Sequence, residues 1–299
     1  MRSLITGGRG FVGQWMASHL RELGDDVVCI DREVEITDAV ALLAAFTDAA
    51  PEAIYHLAAL THVGQSWDEP LRVLEVNVIG TGALLAAARQ CGSEPRVLVT
   101  SSAEVYGAVT DPGLLPLRED SPTAPLTPYA ASKLAAEAVA AQAHLGHGQH
   151  VIIVRPFNHI GPGQTPNFAV PALARRIVAA ERSGAGTIPV GNLSARRDFT
   201  DVRDVVRAYR LLIESGHPGG VYNVCSGRDI SIREIADGLL GLAGTSLEFE
   251  TDPSLVRPVE VPVLRGDPGR LADATGWAPE VPLEQTLADV LAYWRTRED

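Results

Sequence analysis

The sequence predicts an α/β protein, a doubly wound parallel sheet with a smaller, discontinuous C-terminal domain beside it. Three observations predict it. Short β-type runs alternate with longer helical patterns as far as Arg155, a glycine-rich run follows the first strand directly, and prolines multiply after Arg155. Alternation at this spacing builds βαβ units, whose crossovers place helices on both faces of a parallel sheet.

The elements follow in order. Arg2–Thr6 is a strand, and residues 11–23 form an amphipathic helix that ends at Gly24. Asp26–Ile30 is the second strand, 38–49 a helix and 53–57 the third strand. An alanine-rich helix over 71–91 stops at Gly92 and leads into a strand at 96–101. A helix at 129–145 and a strand at 151–155 complete the alternation. Pro156, Gly161, Pro162, Gly163 and Pro166 then interrupt regular structure before a helical stretch at 171–182. Helix–strand rhythm resumes at 201–215 and Val221–Val224, and short elements lead from Ser226 to a last helix at 283–297. This pattern divides the chain into a first domain of residues 1–156 plus 198–225 and a second of 157–197 plus 226–299.

Length and charge set the outer bounds. At roughly 100–200 residues per domain, a chain of 299 residues holds one large domain or two moderate ones. Lys and Arg total 25 against 37 Asp and Glu, a net charge of −12, which argues against nucleic acid or an anionic membrane as partner. Cys29 and Cys225 sit in apolar runs, and with Cys91 make an odd, scattered set that reads as thiols of a reducing compartment. The N-terminus reaches its first glycine too soon for a signal sequence, and no run of 18 apolar residues occurs, so a cytoplasmic protein without a membrane span is expected. His144, His147 and His150 straddle Gly146 and Gly148, which reads as a solvated loop, and no metal is expected.

Gly7, Gly10 and Gly13 form a G-x-x-G-x-x-G spacing between the first strand and the first helix. Glycines there permit a tight turn and let backbone N–H groups approach a pyrophosphate at a helix N-terminus. Asp31 closes the second strand, where an acid accepts a ribose 2′-hydroxyl. Arg9 and Arg32 could instead meet a 2′-phosphate. The cofactor expected is NAD(P)H, with NADH favoured, and the first domain is its binding domain.

Two further segments carry reactive groups. The first, Ser101-Ser102-Ala103-Glu104-Val105-Tyr106-Gly107, leaves the C-terminal end of a predicted parallel strand, the edge where ligands bind in open α/β sheets. An extended chain would place Ser102, Glu104 and Tyr106 on one face. The second, Tyr129-Ala130-Ala131-Ser132-Lys133, makes Tyr129 and Lys133 neighbours one helical turn apart. A phenol with a reference pKa of about 10 needs help to exchange protons at neutral pH, and a nearby ammonium favours its phenolate. Tyr129 could then exchange a proton with a carbonyl or alcohol oxygen that Ser102 also bonds.

Together these residues resemble the extended short-chain dehydrogenase/reductase family, nearly over the whole chain. The glycine run, His56-Leu57-Ala58-Ala59, the Ser102 and Tyr129 segments, and Arg155-Pro156-Phe157-Asn158 carry the resemblance. It implies a Rossmann-type sheet and catalysis by Ser102, Tyr129 and Lys133, with Glu104 a further catalytic candidate through its match to the GDP-mannose dehydratases. It also implies a cofactor site of Gly7, Gly10, Phe11, Val12, Gly13, Asp31, Arg32, Asp38, Leu57, Ala58, Ala59 and Asn77, joined by Tyr129 and Lys133. Within it, Asp38 would approach the adenine and Asn77 would support the active-site helix.

A narrower resemblance lies in Phe157-Asn158-His159-Ile160-Gly161-Pro162-Gly163-Gln164, in residues 190–202 and in Arg257-Pro258-Val259-Glu260. These look like the bacterial GDP-6-deoxy-4-keto-mannose reductases and, in part, the GDP-mannose 4,6-dehydratases. The resemblance implies that Asn158, Arg197 and Arg257 meet the diphosphate of a nucleotide sugar, a GDP-hexose, and Glu260 its ribose. Two arginines from separate segments suit a diphosphate, because their forked donors clamp it; Arg196 reads as a surface ion pair. Ala103 stands where dTDP-glucose 4,6-dehydratases carry an acid, whereas Glu104 matches the GDP-mannose branch. The expectation is therefore a 4-keto reductase giving a GDP-6-deoxy sugar, with a 4,6-dehydratase, a 4-epimerase or a non-catalytic sensor as alternatives. The apolar helices at 71–91 and 129–145 predict a homodimer paired through those faces.

Overall fold

A computed structural model describes residues 1–109, 111–255 and 261–297. Arg257 and Glu260 therefore lie outside the described residues.

The first half builds β1 (Arg2–Thr6), α1 (Phe11–Glu22), β2 (Asp26–Ile30), α2 (Ala39–Ala49) and β3 (Ala53–His56). It continues through α3 (Pro70–Leu74), α4 (Gly80–Gln90), β4 (Arg96–Thr100), α5 (Pro128–His147) and β5 (Val151–Pro156). With β9 (Val221–Val224) the strands form one sheet in the order β2-β1-β3-β4-β5-β9. Every pairing in it is parallel. Strands covered on both faces read as continuous apolar runs, and Val97, Leu98 and Val99 of β4 are all buried.

One face of the sheet carries α1 and α7 (Val202–Ser215), where Met16, Leu20, Val205, Tyr209 and Leu212 pack on Ile5, Tyr55 and Ile152. The other face is covered by α2, α4 and α5, with Leu42, Phe46, Leu84 and Ala140 against Leu4, Ile54 and Val99. Residues 70–90 run as one helix because a π-helical turn, Glu75–Ile79, joins α3 to α4. That turn brings Asn77 inward, where it is buried.

A second body of structure follows β5. It contains β6 (Asn158–Ile160), α6 (Ala169–Ser183), β7 (Thr187–Val190), β8 (Arg196–Asp201), β10 (Asp229–Ser231), α8 (Ile232–Ala243), β11 (Glu248–Thr251), β12 (Val263–Leu264) and α10 (Leu283–Arg295). Strand β8 is its centre, flanked by β10 and β12 and paired with β6, while β7 pairs with β11. Helices α6, α8 and α10 enclose a separate core of Leu173, Ile177, Ile235, Leu239 and Leu291.

Two features depart from the expected pattern. Helix α5 runs through Gly146 to His147 and ends at Gly148, whose φ of +70° forms a left-handed cap. His144 and His147 thus belong to its last turn, not to a loop. The C-terminal third also does not stay with the second body, since α9 (Gly269–Thr275) and Trp277 return to the first face of the large sheet. Among the described residues no cluster of three His, Cys, Asp or Glu could hold a metal ion.

Candidate active site

A cleft of about 1390 Å³ runs along the C-terminal edge of the large sheet and on between it and the second body. Its first part is the turn after β1. Gly7 has φ +71°, and a Cβ there would lie 2.9 Å from the Ala58 nitrogen; one on Gly13 would lie 2.2 Å from the Gly7 carbonyl oxygen. The turn is closed by Gly10 N–H donating to Gly7 O, and no side chain caps α1 at Gly10. These contacts require glycine for the close packing of the turn against α1 and the end of β3, and the uncapped N–H groups at the start of α1 are of the kind that bind a pyrophosphate. Gly7, Gly10, Phe11, Val12, Gly13, Asp31, Arg32, Leu57, Ala58 and Ala59 all line the cleft. The residues fit a nicotinamide dinucleotide.

Asp31 accepts the backbone N–H groups of Arg9 and Arg32 on its two oxygens, each at 2.9 Å. The Arg9 guanidinium turns toward Glu33, 3.3 Å away. Asp38 does not line the cleft. Its carboxylate accepts from the Val40 and Ala41 amides and so caps α2, the usual use of an Asp at that position. Asn77 is likewise set back: its amide holds both backbone groups of Leu60 and donates to Ser132 Oγ at 2.9 Å. It supports α5 and the cleft wall and does not line the cleft itself.

A buried chain of hydrogen bonds beneath that wall is not legible from local spacing. Thr81 Oγ1 donates to Asn77 O, so it accepts from His56 Nε2 at 3.1 Å. His56 Nδ1 then accepts from Thr6 Oγ1 at 2.8 Å, and Thr6 accepts from Ala58 N–H. Burial pushes the His56 imidazole down to about 3, with Lys133 adding to the effect. The neutral ring thus has one fixed tautomer.

The groups expected to react come together near the end of β4. Ser102 opens a 3₁₀ turn, Ala103–Tyr106, and its hydroxyl accepts from Glu104 N–H at 3.2 Å. This turn corrects the extended reading: Ser102 and Glu104 line the cleft, but Tyr106 rotates inward to donate to Asn223 Oδ1. Tyr129 reaches the cleft from the first turn of α5, next to the cap Thr127, and Pro128 supplies the helical φ at N1. Lys133 lies one turn further, buried, with Nζ donating to Thr100 O at 2.8 Å and 6.0 Å from the Tyr129 ring centroid.

Burial pushes the Tyr129 phenol up to about 12, Ser102 pulls it back and the Glu104 charge adds to the rise. Burial also pushes Lys133 down to about 8, against the pull of Glu137.

Asn158 and Arg197 line the far part of the cleft, on β6 and β8. Arg197 Nη1 donates to the Arg196 carbonyl at 2.8 Å, while Arg196 itself pairs with Asp229 and Glu234, the surface role expected of it. Sequence reasoning missed His159, whose ring stacks at 5° on Phe11 with centroids 6.2 Å apart. It also missed Gln164, which lines the cleft and donates to the His159 carbonyl.

Comparison with known proteins gives a consistent picture. Residues 32–290 match the family described as GDP-mannose 4,6 dehydratase. The GDP-6-deoxy-D-mannose reductase of Pseudomonas aeruginosa is 37% identical over 299 residues, covering 99% of this chain and 98% of that protein. The structure of RMD from Pseudomonas aeruginosa complexed with NADPH superposes with a TM-score of 0.92 at 37% identity, covering 100% of both chains. A UDP-glucose 4-epimerase of Thermus thermophilus, in complex with NAD, gives a TM-score of 0.88 at 29% identity over 99% of both. The chain belongs to the GDP-mannose 4,6 dehydratase family, and is an NAD(P)-dependent nucleotide-sugar oxidoreductase of the extended short-chain dehydrogenase/reductase type.

Proposed function

We propose that the protein reduces the 4-keto group of a GDP-4-keto-6-deoxy-hexose to give a GDP-6-deoxy sugar. The observation that carries this reading is the placement of the Tyr129 phenol and the Ser102 hydroxyl together in the cleft that also holds the glycine turn. A phenol is protonated at neutral pH, so Tyr129 holds a proton that it can give to a carbonyl oxygen. A bound NAD(P)H supplies the hydride. Ser102 donates a hydrogen bond to the sugar carbonyl oxygen, and Tyr129 delivers the proton that makes it a hydroxyl. Lys133, anchored on Thr100, holds α5 and hence Tyr129 at that distance. Asp31 presents a negative charge where a 2′-phosphate would sit, which favours NADH over NADPH.

In this reading the large sheet carries the cofactor. The body around β8 carries the sugar nucleotide, with Asn158, Arg197, Arg257 and Glu260 as its contacts. The test is to supply GDP-4-keto-6-deoxy-mannose with reduced nicotinamide and measure stoichiometric oxidation of the cofactor.

Glu104 supports a second reading, since a carboxylate in the cleft could take the C5 proton in a 4,6-dehydration. In the reductase reading it bonds sugar hydroxyls instead.

We further infer a cytoplasmic homodimer. The helix of residues 70–90 is long and apolar enough to cross a membrane, yet half of it is buried in this fold against its neighbours. Leu71 and Ile79 remain 79% and 59% exposed on it, and Leu145 is 82% exposed on α5. A second copy pairing these helices would cover them.

A further inference from the structure

Behind the reacting groups lies an ion pair between Arg155 and Glu137, with side chains only 7% and 8% exposed. It is bidentate: Arg155 Nε meets Glu137 Oε1 at 2.8 Å and Nη2 meets Oε2 at 2.7 Å. Taking both charges out of water costs about as much as their attraction returns, so stability alone is a poor reason for the pair. Its connections point elsewhere.

Glu137 Oε1 also accepts from the hydroxyl of Ser101, the residue next to Ser102. Glu137 stands one turn beyond Lys133 on α5, and two turns beyond Tyr129. Arg155, at the end of β5, extends the link by donating to Tyr106 Oη and to the Glu119 carbonyl, both at 3.0 Å. One carboxylate therefore joins the end of β4, the reactive face of α5 and the end of β5.

We propose that Glu137 is a positioning residue, which fixes Ser102 through Ser101 and sets its carboxylate one helical turn from Lys133 on α5. The proposal rests on the reductase reading for its kinetics, but not for its geometry. The titratable groups facing Lys133 are Tyr129 and Glu137 from α5 and the neutral His56 from β3, while β4 offers the Thr100 carbonyl. Burial alone would depress the amine further, and Glu137 supplies the charge that opposes it.

Lys133 is the only lysine of the chain, so lysine labelled with ¹⁵N at the side chain gives a single resonance to titrate in the cofactor-free protein. In Glu137→Gln the midpoint of that resonance is expected to fall by about one pH unit, the lower end of what an opposite charge supplies. The same variant should lose about tenfold or more in kcat with KM unchanged, as expected when a reacting group is misplaced. An unmoved midpoint, or an undiminished kcat, overturns the proposal. If Glu137→Gln does not fold, Ser101→Ala decides, since it spares the ion pair: kcat should fall while NADPH still binds, and a full kcat overturns the proposal. If the wild-type protein does not turn over the 4-keto sugar, the reductase reading has failed, and the titration alone judges Glu137.

Discussion

Lys133 donates through Nζ to the carbonyl oxygen of Thr100 at 2.8 Å, which seats α5 on the last residue of β4. Tyr129 lies one turn before the lysine and Ser102 two residues after the threonine, so this bond sets the two hydroxyls in register. Tyr129 thus stands on a helix seated on the sheet, and Ser102 on the turn that leaves the same strand.

Tyr129→Phe removes the proton route and leaves the shape of the site intact. Turnover of the 4-keto sugar should fall by about 100-fold or more, the usual worth of a general acid, with NADPH affinity nearly unchanged by fluorescence titration. A loss smaller than about tenfold would contradict the assigned role.

In the proposed reading, cofactor choice turns on Asp31. Its carboxylate should make NADH at least as good a reductant as NADPH in kcat/KM, and Asp31→Ala should move the ratio toward NADPH. A strong wild-type preference for NADPH would place Arg9 or Arg32 in control of that end of the cleft.

Glu104→Gln separates reduction from dehydration. The reductase should convert no GDP-mannose by itself, and the variant should retain hydride turnover with a raised KM for the sugar. Formation of a 4-keto product from GDP-mannose, abolished in the variant, would make Glu104 the C5 base.

His56 links the site to acid stability. Its folded pKa of about 3 lies below the ordinary 6.5, so the unfolded chain takes up the proton first as pH falls. The stability it contributes is complete above the ordinary value and declines below it, by about 1.4 kcal/mol per pH unit until the folded value is reached. Urea unfolding of His56→Asn should show a shallower loss between about pH 6 and pH 4 than the wild type. Equal slopes would mean that the imidazole is charged in the folded protein.

The paired-helix dimer is checked by light scattering. The wild type should give twice the chain mass, and a variant carrying Leu71→Asp and Ile79→Asp should give the monomer. A monomeric wild type at micromolar concentration excludes the pairing.

What can be read from the sequence is what local spacing encodes. Apolar runs such as Val97–Val99 mark strands covered on both faces, the glycines from Gly7 to Gly13 mark a turn within seven residues, and Tyr129 and Lys133 lie one helical turn apart. Tyr106 departs from its expected place because a 3₁₀ turn, not an extended chain, follows Ser102. Asp38 departs from its expected role because a cap and an adenine contact call for the same residue type at a helix start. Glu137 and Arg155 escape notice because they meet only when α5 is laid on the sheet. The stacking of His159 on Phe11 joins residues far apart in the sequence, and no local signal announces it.

The return of Trp277 to the large sheet has a consequence for how the chain unfolds. Its indole N–H donates to the Asp204 carbonyl at 3.0 Å, and the Glu280 and Val281 amides hold the Asp204 carboxylate at 2.9 Å. The segment from α9 to Val281 is thus clasped to α7, while the next helix, α10, is built into the core of α6 and α8. Neither body can come apart without pulling on this strap, so the two should melt in a single cooperative transition. A deletion of the strap should loosen that coupling and leave the large sheet with a bare indole slot.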